Sequence, residues 1–183
     1  MHLKGALHVH TTCSDGELSI EETIRAHEAL GYDFLALTDH DSLMRPGRYD
    51  AVFRIKTDLI VFTGIELTVF EKGYCHVSRI PGHKEVLHVF NHPAQLDLPL
   101  AKTIERIQAV ARMLPLDAVE ITSNGFKTPE YDIPEITYPK VATDDSHSGL
   151  MIGRAWIEMD CRRDKEAIIQ AVKRGDFWNC YRN

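Results

Sequence analysis

A chain of 183 residues with 44% hydrophobic content is long enough to enclose one core and short for two. Its formal net charge of -6 excludes the general basic footprint of a protein that wraps long nucleic acid or lies on anionic lipid. The four cysteines, Cys13, Cys75, Cys161 and Cys180, form no C-x-x-C pair, and the opening MHLKGALHV carries no apolar signal core. A reduced, cytoplasmic protein without a membrane segment is therefore expected.

In chain order, residues 3–9 are the first strand-like apolar run. Residues 19–31 then open on a capping box, Ser19-x-x-Glu22, carry Ile20, Ile24, His27 and Leu30 near helical spacing, and stop at Gly31. Apolar runs follow at 34–37, 59–62 and 86–90. A second helix is predicted over about 100–114, with Leu100, Ile104, Ile107, Ala111 and Leu114 on one face before Pro115. Short runs at 118–121 and 141–142 precede a third helix over about 164–174, with Ile168, Ala171 and Val172 before Gly175. Continuous apolar strands between helices predict a mainly parallel sheet or barrel with a helical outer layer, in one domain spanning 1–183. The connection from His147 to the run at 154–159 is too short for a helical crossover, so that strand pairs differently or leaves the barrel irregular.

Residues able to bind metal stand at the downstream ends of these runs. ALHVH ends in His8 and His10, FLALTDH in Asp39 and His40, IVFTGIE in Glu66, VLHVFNH in His92, and KVATDDSH in Asp144, Asp145 and His147. In α/β folds the site lies at the carboxyl ends of the strands, so these residues converge on one mouth. His8 and His10, two apart on a strand, share a face and can grip one ion. The pair Asp144-x-x-His147 leaves a strand end, where a turning loop lets its two side chains serve neighbouring ions. Six of the ten histidines, His8, His10, His40, His76, His92 and His147, fall in or beside these clusters.

The ordered set His8-Val9-His10-Thr11-Thr12-Cys13-Ser14-Asp15-Gly16, Thr38-Asp39-His40-Asp41, Gly64-Ile65-Glu66, His76, Asn91-His92-Pro93 and Asp144-Asp145-Ser146-His147 resembles the motifs of the PHP (polymerase and histidinol phosphatase) superfamily. The likeness runs from about residue 3 to 178, where KEAIIQAVKRGDFW is similar to the family's closing helix and its Gly. It implies an α/β fold, a distorted seven-stranded (β/α) barrel, with up to three divalent ions at its mouth and hydrolysis of phosphate esters. It also implies a ligand set: His8, His10, Glu66 and Asp144 on one ion, Glu66, His76 and His92 on a second, and Asp15, His40 and His147 on a third, Glu66 bridging. Only fifteen residues separate His76 from His92, and they include the Pro81-Gly82 turn. Many relatives carry a cap there, so an open mouth is expected.

Phosphate ester hydrolysis builds charge on oxygen, so its catalysis is mostly positioning and neutralisation. The expected attack is by a metal-bound hydroxide held near Glu66, without a covalent intermediate, with Asp144 and His147 as candidate proton-transfer groups. Six imidazoles and three carboxylates suit zinc, manganese or iron. Cys13 and Cys75 read as small buried side chains. Arg45, Arg48, Lys127 and Arg154 lie on loops bordering the mouth and are candidates for binding a small phosphorylated substrate. Asp39 and Asp41 either accept the free ring N–H of His40 or are exposed loop carboxylates. Glu120 and Asn124 end a strand and are candidates to line the mouth, whereas His27 and His88 read as core residues and His2 and His83 as surface. Besides a phosphatase of monoesters or nucleotides, two readings stay open: a phosphodiesterase or exonuclease-like module acting on nucleic-acid ends, and a non-catalytic metal-binding scaffold.

Overall fold

The computed structural model describes residues 1–43, 47 and 49–182. Its three helices sit where spacing and caps put them: α1 is Ile20–Ala29, α2 Leu100–Ala111 and α3 Lys165–Arg174. The capping box of α1 is formed, the Ser19 side chain accepting from the Glu22 N–H at 3.3 Å and the Glu22 carboxylate from the Ser19 N–H at 2.8 Å. Helix α3 is capped by Asp164, which accepts from the Ala167 N–H, and ends at Gly175 in the left-handed region.

The strands are β1 (His2–Val9), β2 (Phe34–Leu37), β3 (Ile60–Thr63), β4 (Ile65–Phe70), β5 (Tyr74–Pro81), β6 (Val86–Phe90), β7 (Ala118–Glu120), β8 (Thr122–Ser123), β9 (Phe126–Lys127), β10 (Lys140–Val141), β11 (Ala155–Asp160) and β12 (Trp178–Tyr181). They form two open five-stranded sheets, β12-β11-β1-β2-β3 and β10-β7-β6-β5-β4, with β8 and β9 as a separate hairpin. The expected α/β class holds, while the sheets are not closed and the distorted seven-stranded barrel is not confirmed. A (β/α) barrel needs a helical crossover after each strand, and here β4, β5 and β6 follow one another as antiparallel neighbours through short turns. The late strand β11 runs antiparallel to β1, as its short connection requires.

The sheets meet at the end that carries the candidate ligands. Single parallel bridges join Val9 to Ser146 and His40 to Glu66, with the His10 N–H donating to the Ser146 carbonyl at 3.0 Å and the Glu66 N–H to that of Asp39 at 3.1 Å. The main core draws Leu3, Leu7, Phe34 and Phe62 from one sheet, Ile80, Leu87, Ala118 and Val141 from the other, and Ile168 and Val172 from α3. Helix α1 covers the outer side of β1 and β2 through Ile20 and Ile24, and α2 covers β5 to β7 through Ile107 and Val110.

A register shift in β1 aims the first two histidines. Ala6 pairs with Leu35 and Val9 with Leu37, so β1 holds one extra residue across that interval. Ala6 and Val9 consequently share the cluster under α1, although residues three apart face opposite sides of a regular strand. Just upstream, Gly5 leaves room for Phe34: a Cβ there would stand 2.1 Å from the ring. The ring is fully buried and has nowhere to move. Gly5→Ala should lower the free energy of unfolding by about 1–3 kcal/mol, read as a fall in the urea midpoint with an unchanged m-value; an unaltered midpoint would show that β1 shifts to make room.

Candidate metal centre

At the joined end of the sheets, one carboxylate is ringed by imidazoles. Glu66 Oε1 lies 3.2 Å from His8 Nε2, 3.4 Å from His76 Nδ1 and 3.1 Å from His92 Nε2, and Oε2 lies 3.4 Å from His10 Nε2 and 2.9 Å from His40 Nδ1. Glu66 is fully buried on β4. Asn91 donates to Glu66 Oε1 at 2.7 Å and to Ser78 Oγ at 2.9 Å, locking the carboxylate's rotation. On the other side, Asp145 Oδ1 is 3.3 Å from both His8 Nε2 and His10 Nε2. Nearer the surface, Asp15 stands 3.4 Å from His10, His40 and His147.

Donor atoms converge in four overlapping groups: His10, Asp15, His40 and His147; His8, His10 and Glu66; His8, His92 and Asp145; and His40, Glu66 and His76. The structure thus brings together His8, His10, Asp15, His40, Glu66, His76, His92 and His147. Asp144 stands outside all four groups. Its carboxylate is fully buried and accepts from the Gly153 N–H at 2.7 Å, while Asp145 takes the place beside the histidines. The reason is local backbone: Asp145 adopts φ 47°, a left-handed conformation that strand alternation does not anticipate. His92, at φ 24°, is similarly turned.

Neighbouring groups orient the rings. His8 Nδ1 donates to Glu120 Oε2 at 3.2 Å, which leaves Nε2 facing the centre, and the same oxygen accepts from the His92 N–H at 3.1 Å. His147 Nδ1 donates to the Asp145 carbonyl at 2.9 Å. Asp39 bonds no ring; it accepts from the Thr11 N–H, Ser14 Oγ and Tyr49 OH at 2.8, 2.6 and 2.9 Å, and so shapes the loop that carries Asp15. Asp41 accepts from Thr68 Oγ1. Glu120 and Asn91 carry the orientation; Asn91 was legible only as the residue before His92, and Asp145 only as one of three ligand-type residues, with Asp144 and His147, that close the run KVATDDSH.

Electrostatics follow from the crowding. Burial opposes the charged form of Glu66, but His8, His40 and His92 hold its carboxyl far below the usual carboxylate range. Asp145 is held down in the same way, chiefly by His8 and His10 against burial. Burial works against a proton on His8 and His10, yet Asp145 and Glu66 raise His8, and Asp145 and Asp15 push His10 up to about 9. Burial lowers His76 and lifts Asp144 to about 7.

This donor set fits divalent ions of the first transition row. Glu66 Oε2 and Asp145 Oδ1 are buried without an aligned hydrogen bond although imidazole nitrogens stand at ion-pair distance. Lone pairs that point to a shared centre instead of to one another leave that signature. His40, His76 and His147 keep partial exposure, so one side is open.

Of the candidates for substrate phosphate, Arg45 and Arg48 lie outside the described residues. Lys127 pairs with Asp132 at 3.1 Å and Arg154 Nη1 donates to the Asn124 carbonyl, so neither meets an imidazole of the centre. Cys75 is buried in the core under α2, and no helix among the described residues is long and apolar enough to cross a membrane.

A PHP domain family model matches residues 6–151, and the chain belongs to that family. Over 110 residues it is 33% identical to the 5'-3' exoribonuclease Rnm of Salmonella typhimurium, the match covering 59% of this chain and 35% of that protein. It is 44% identical over 43 residues to the DNA polymerase/3'-5' exonuclease PolX of Bacillus subtilis, covering 24% of this chain and 8% of PolX. The chain therefore spans about a third or less of these relatives. Among solved structures it resembles a two-domain protein of Bacteroides vulgatus containing a predicted PHP-like metal-dependent phosphoesterase, with TM-score 0.72 and 18% identity over 99% of this chain and 65% of that one.

Raised imidazole pKa values predict competition between protons and metal. His10 passes from an ordinary 6.5 to about 9 in the folded, metal-free chain, so its charged form stabilises the fold fully below about pH 6.5 and that contribution fades as pH rises to 9. Metal needs the neutral ring, so Mn²⁺ affinity should climb over the same window. Calorimetric titration of chelator-treated protein in buffers of different ionisation enthalpy should register proton release at pH 7; affinity independent of pH and buffer would contradict this charge assignment.

Proposed function

We propose that this chain is a metal-dependent phosphoesterase that hydrolyses a phosphate monoester or nucleotide. The observation that carries the reading is the buried Glu66 carboxylate with five imidazole nitrogens within 3.4 Å and Asp145 opposite. Membership of the PHP domain family supports it. The four overlapping donor groups suit more than one ion; shared out so that each ion has its own ligands, with Glu66 common to two, they would make an inner site of His8, His10, Asp145 and Glu66, a second of His76, His92 and Glu66, and a rim site of Asp15, His40 and His147, served by zinc, manganese or iron. When bound, such ions supply the Lewis acidity that makes water nucleophilic near neutral pH and offset charge building on the phosphoryl oxygens.

The protein's own groups do the positioning. Glu120 holds His8 in the tautomer that presents Nε2, and Asn91 fixes the plane of Glu66. His147, partly exposed with Nδ1 committed to a carbonyl, presents Nε2 toward Asp15 and the opening, the nitrogen that would serve an ion at the rim. Asp144, enclosed and bonded to Gly153, has no path to substrate and instead holds the following loop.

A second reading, a nuclease-like activity on nucleic-acid ends, is favoured by the open rim and by the described activities of Rnm and PolX. A metal-binding scaffold is disfavoured because stapling sites are closed, whereas His40, His76 and His147 remain partly exposed.

The test is a panel of aryl phosphate, mononucleotides and short oligonucleotides with Mn²⁺, Zn²⁺ or Fe²⁺, run beside Asp145→Asn and Asp144→Asn. Asp145→Asn should lose on the order of 100-fold in kcat/KM together with bound metal, and Asp144→Asn clearly less. The reverse order would return the ligand role to Asp144, and a wild type inert on every ester with metal bound would refute the phosphoesterase reading.

A further inference from the structure

Beside the centre, the hairpin of β8 and β9 turns through Asn124 and Gly125, at φ 51° and 83°, the pair of left-handed residues that a two-residue turn requires. Its base belongs to the site: Thr122 Oγ1 donates to Glu120 Oε1 at 3.0 Å, and Gln95, just past His92, reaches Ser123. Ser123 stands no more than about 11 Å of chain from Glu120, and its paired partner is Phe126.

Phe126 is 66% exposed, so its ring is open to a planar ligand. The Arg154 guanidinium lies 5.2 Å from the ring centre and is pinned by its bond to the Asn124 carbonyl. Gly125 makes that approach possible, since a Cβ there would stand 2.5 Å from the Arg154 Cβ. Together with Lys127, Tyr181 and Arg182 these residues line a cavity of about 300 Å³. Three cations line it, one of them paired with Asp132, in a chain of net charge -6. Lys127 lies 5.9 Å over the Tyr181 ring.

An exposed aromatic face set among guanidinium and ammonium groups is the arrangement that holds a base and its phosphate at once. We propose that this cavity seats one nucleotide of a single-stranded nucleic-acid end, its base stacked on Phe126 and its phosphate held by Arg154, Lys127 and Arg182. The idea deepens the phosphoesterase reading, and rests on it, by seating a nucleotide on the hairpin that follows directly on the strand ending in Glu120. Lys127 keeps Asp132 as a partner, so Arg154 and Arg182 carry most of the phosphate's charge.

The test measures binding apart from turnover: fluorescence anisotropy of the full-length protein, as purified with its metals, on a short labelled phosphorothioate oligonucleotide and on its abasic counterpart. Wild type should bind the base-bearing strand at least about fivefold more tightly than the abasic one. Phe126→Ala should erase that preference, Phe126→Tyr should keep it, and Arg182→Gln should weaken both ligands alike and lower the salt slope by about one. A preference that survives in Phe126→Ala, with the variant's melting temperature unchanged, or one absent from wild type, overturns the proposal. Oligonucleotide hydrolysis with no effect of Phe126→Ala would refute this site alone, and base-selective binding without hydrolysis of any ester would refute the phosphoesterase reading alone.

Discussion

Glu66, fully buried, presents two carboxylate oxygens to the centre, and five imidazole rings crowd within 3.4 Å of them. A buried carboxylate of that kind is costly unless positive charge sits beside it, and a cluster of neutral rings supplies none. Either protons on His8 and His10 or metal ions must balance Glu66, Asp145 and Asp15. The raised imidazoles and depressed carboxylates of the metal-free chain describe the proton solution. Divalent ions would displace those protons and use the same lone pairs, so one charge requirement accounts for both the unaligned oxygens and the proposed chemistry.

The fold serves that requirement. Two sheets that never close into a barrel are held at the ligand end by two single bridges, one of them made by Glu66 itself. The core of Leu3, Phe34, Leu87 and α3 fills the space below. Hydrophobic burial therefore fixes the spacing between sheets, and the bulge in β1 and the left-handed Asp145 aim the last side chains. Strain and irregularity gather where donors must point inward against the ordinary strand alternation.

Much of this could be read from residue order because the ligand-type residues end apolar runs, a position that survives errors in topology. His8, His10, His40, Glu66, His92 and His147 meet in space although the strands form two sheets that are not closed. β4 and β5 escaped notice because the polar residues in them, Glu66, Thr68, His76 and Ser78, break the apolar pattern that marks a buried strand. Asp145 was passed over for Asp144 because a single positive φ reverses which of two adjacent carboxylates faces inward, and a sequence of two aspartates carries no sign of it. Asn91 and the aromatic and cationic cavity beside β9 arise from contacts between segments distant along the chain.

The most direct test of the charge argument is elemental analysis of protein purified without chelator, compared with Glu66→Gln. The account requires more than one divalent ion per wild-type chain and a large loss of metal in the variant, since one carboxylate faces most of the rings. A wild type that holds no metal even after incubation with Mn²⁺ or Zn²⁺, or a Glu66→Gln chain that retains a full complement, would contradict it.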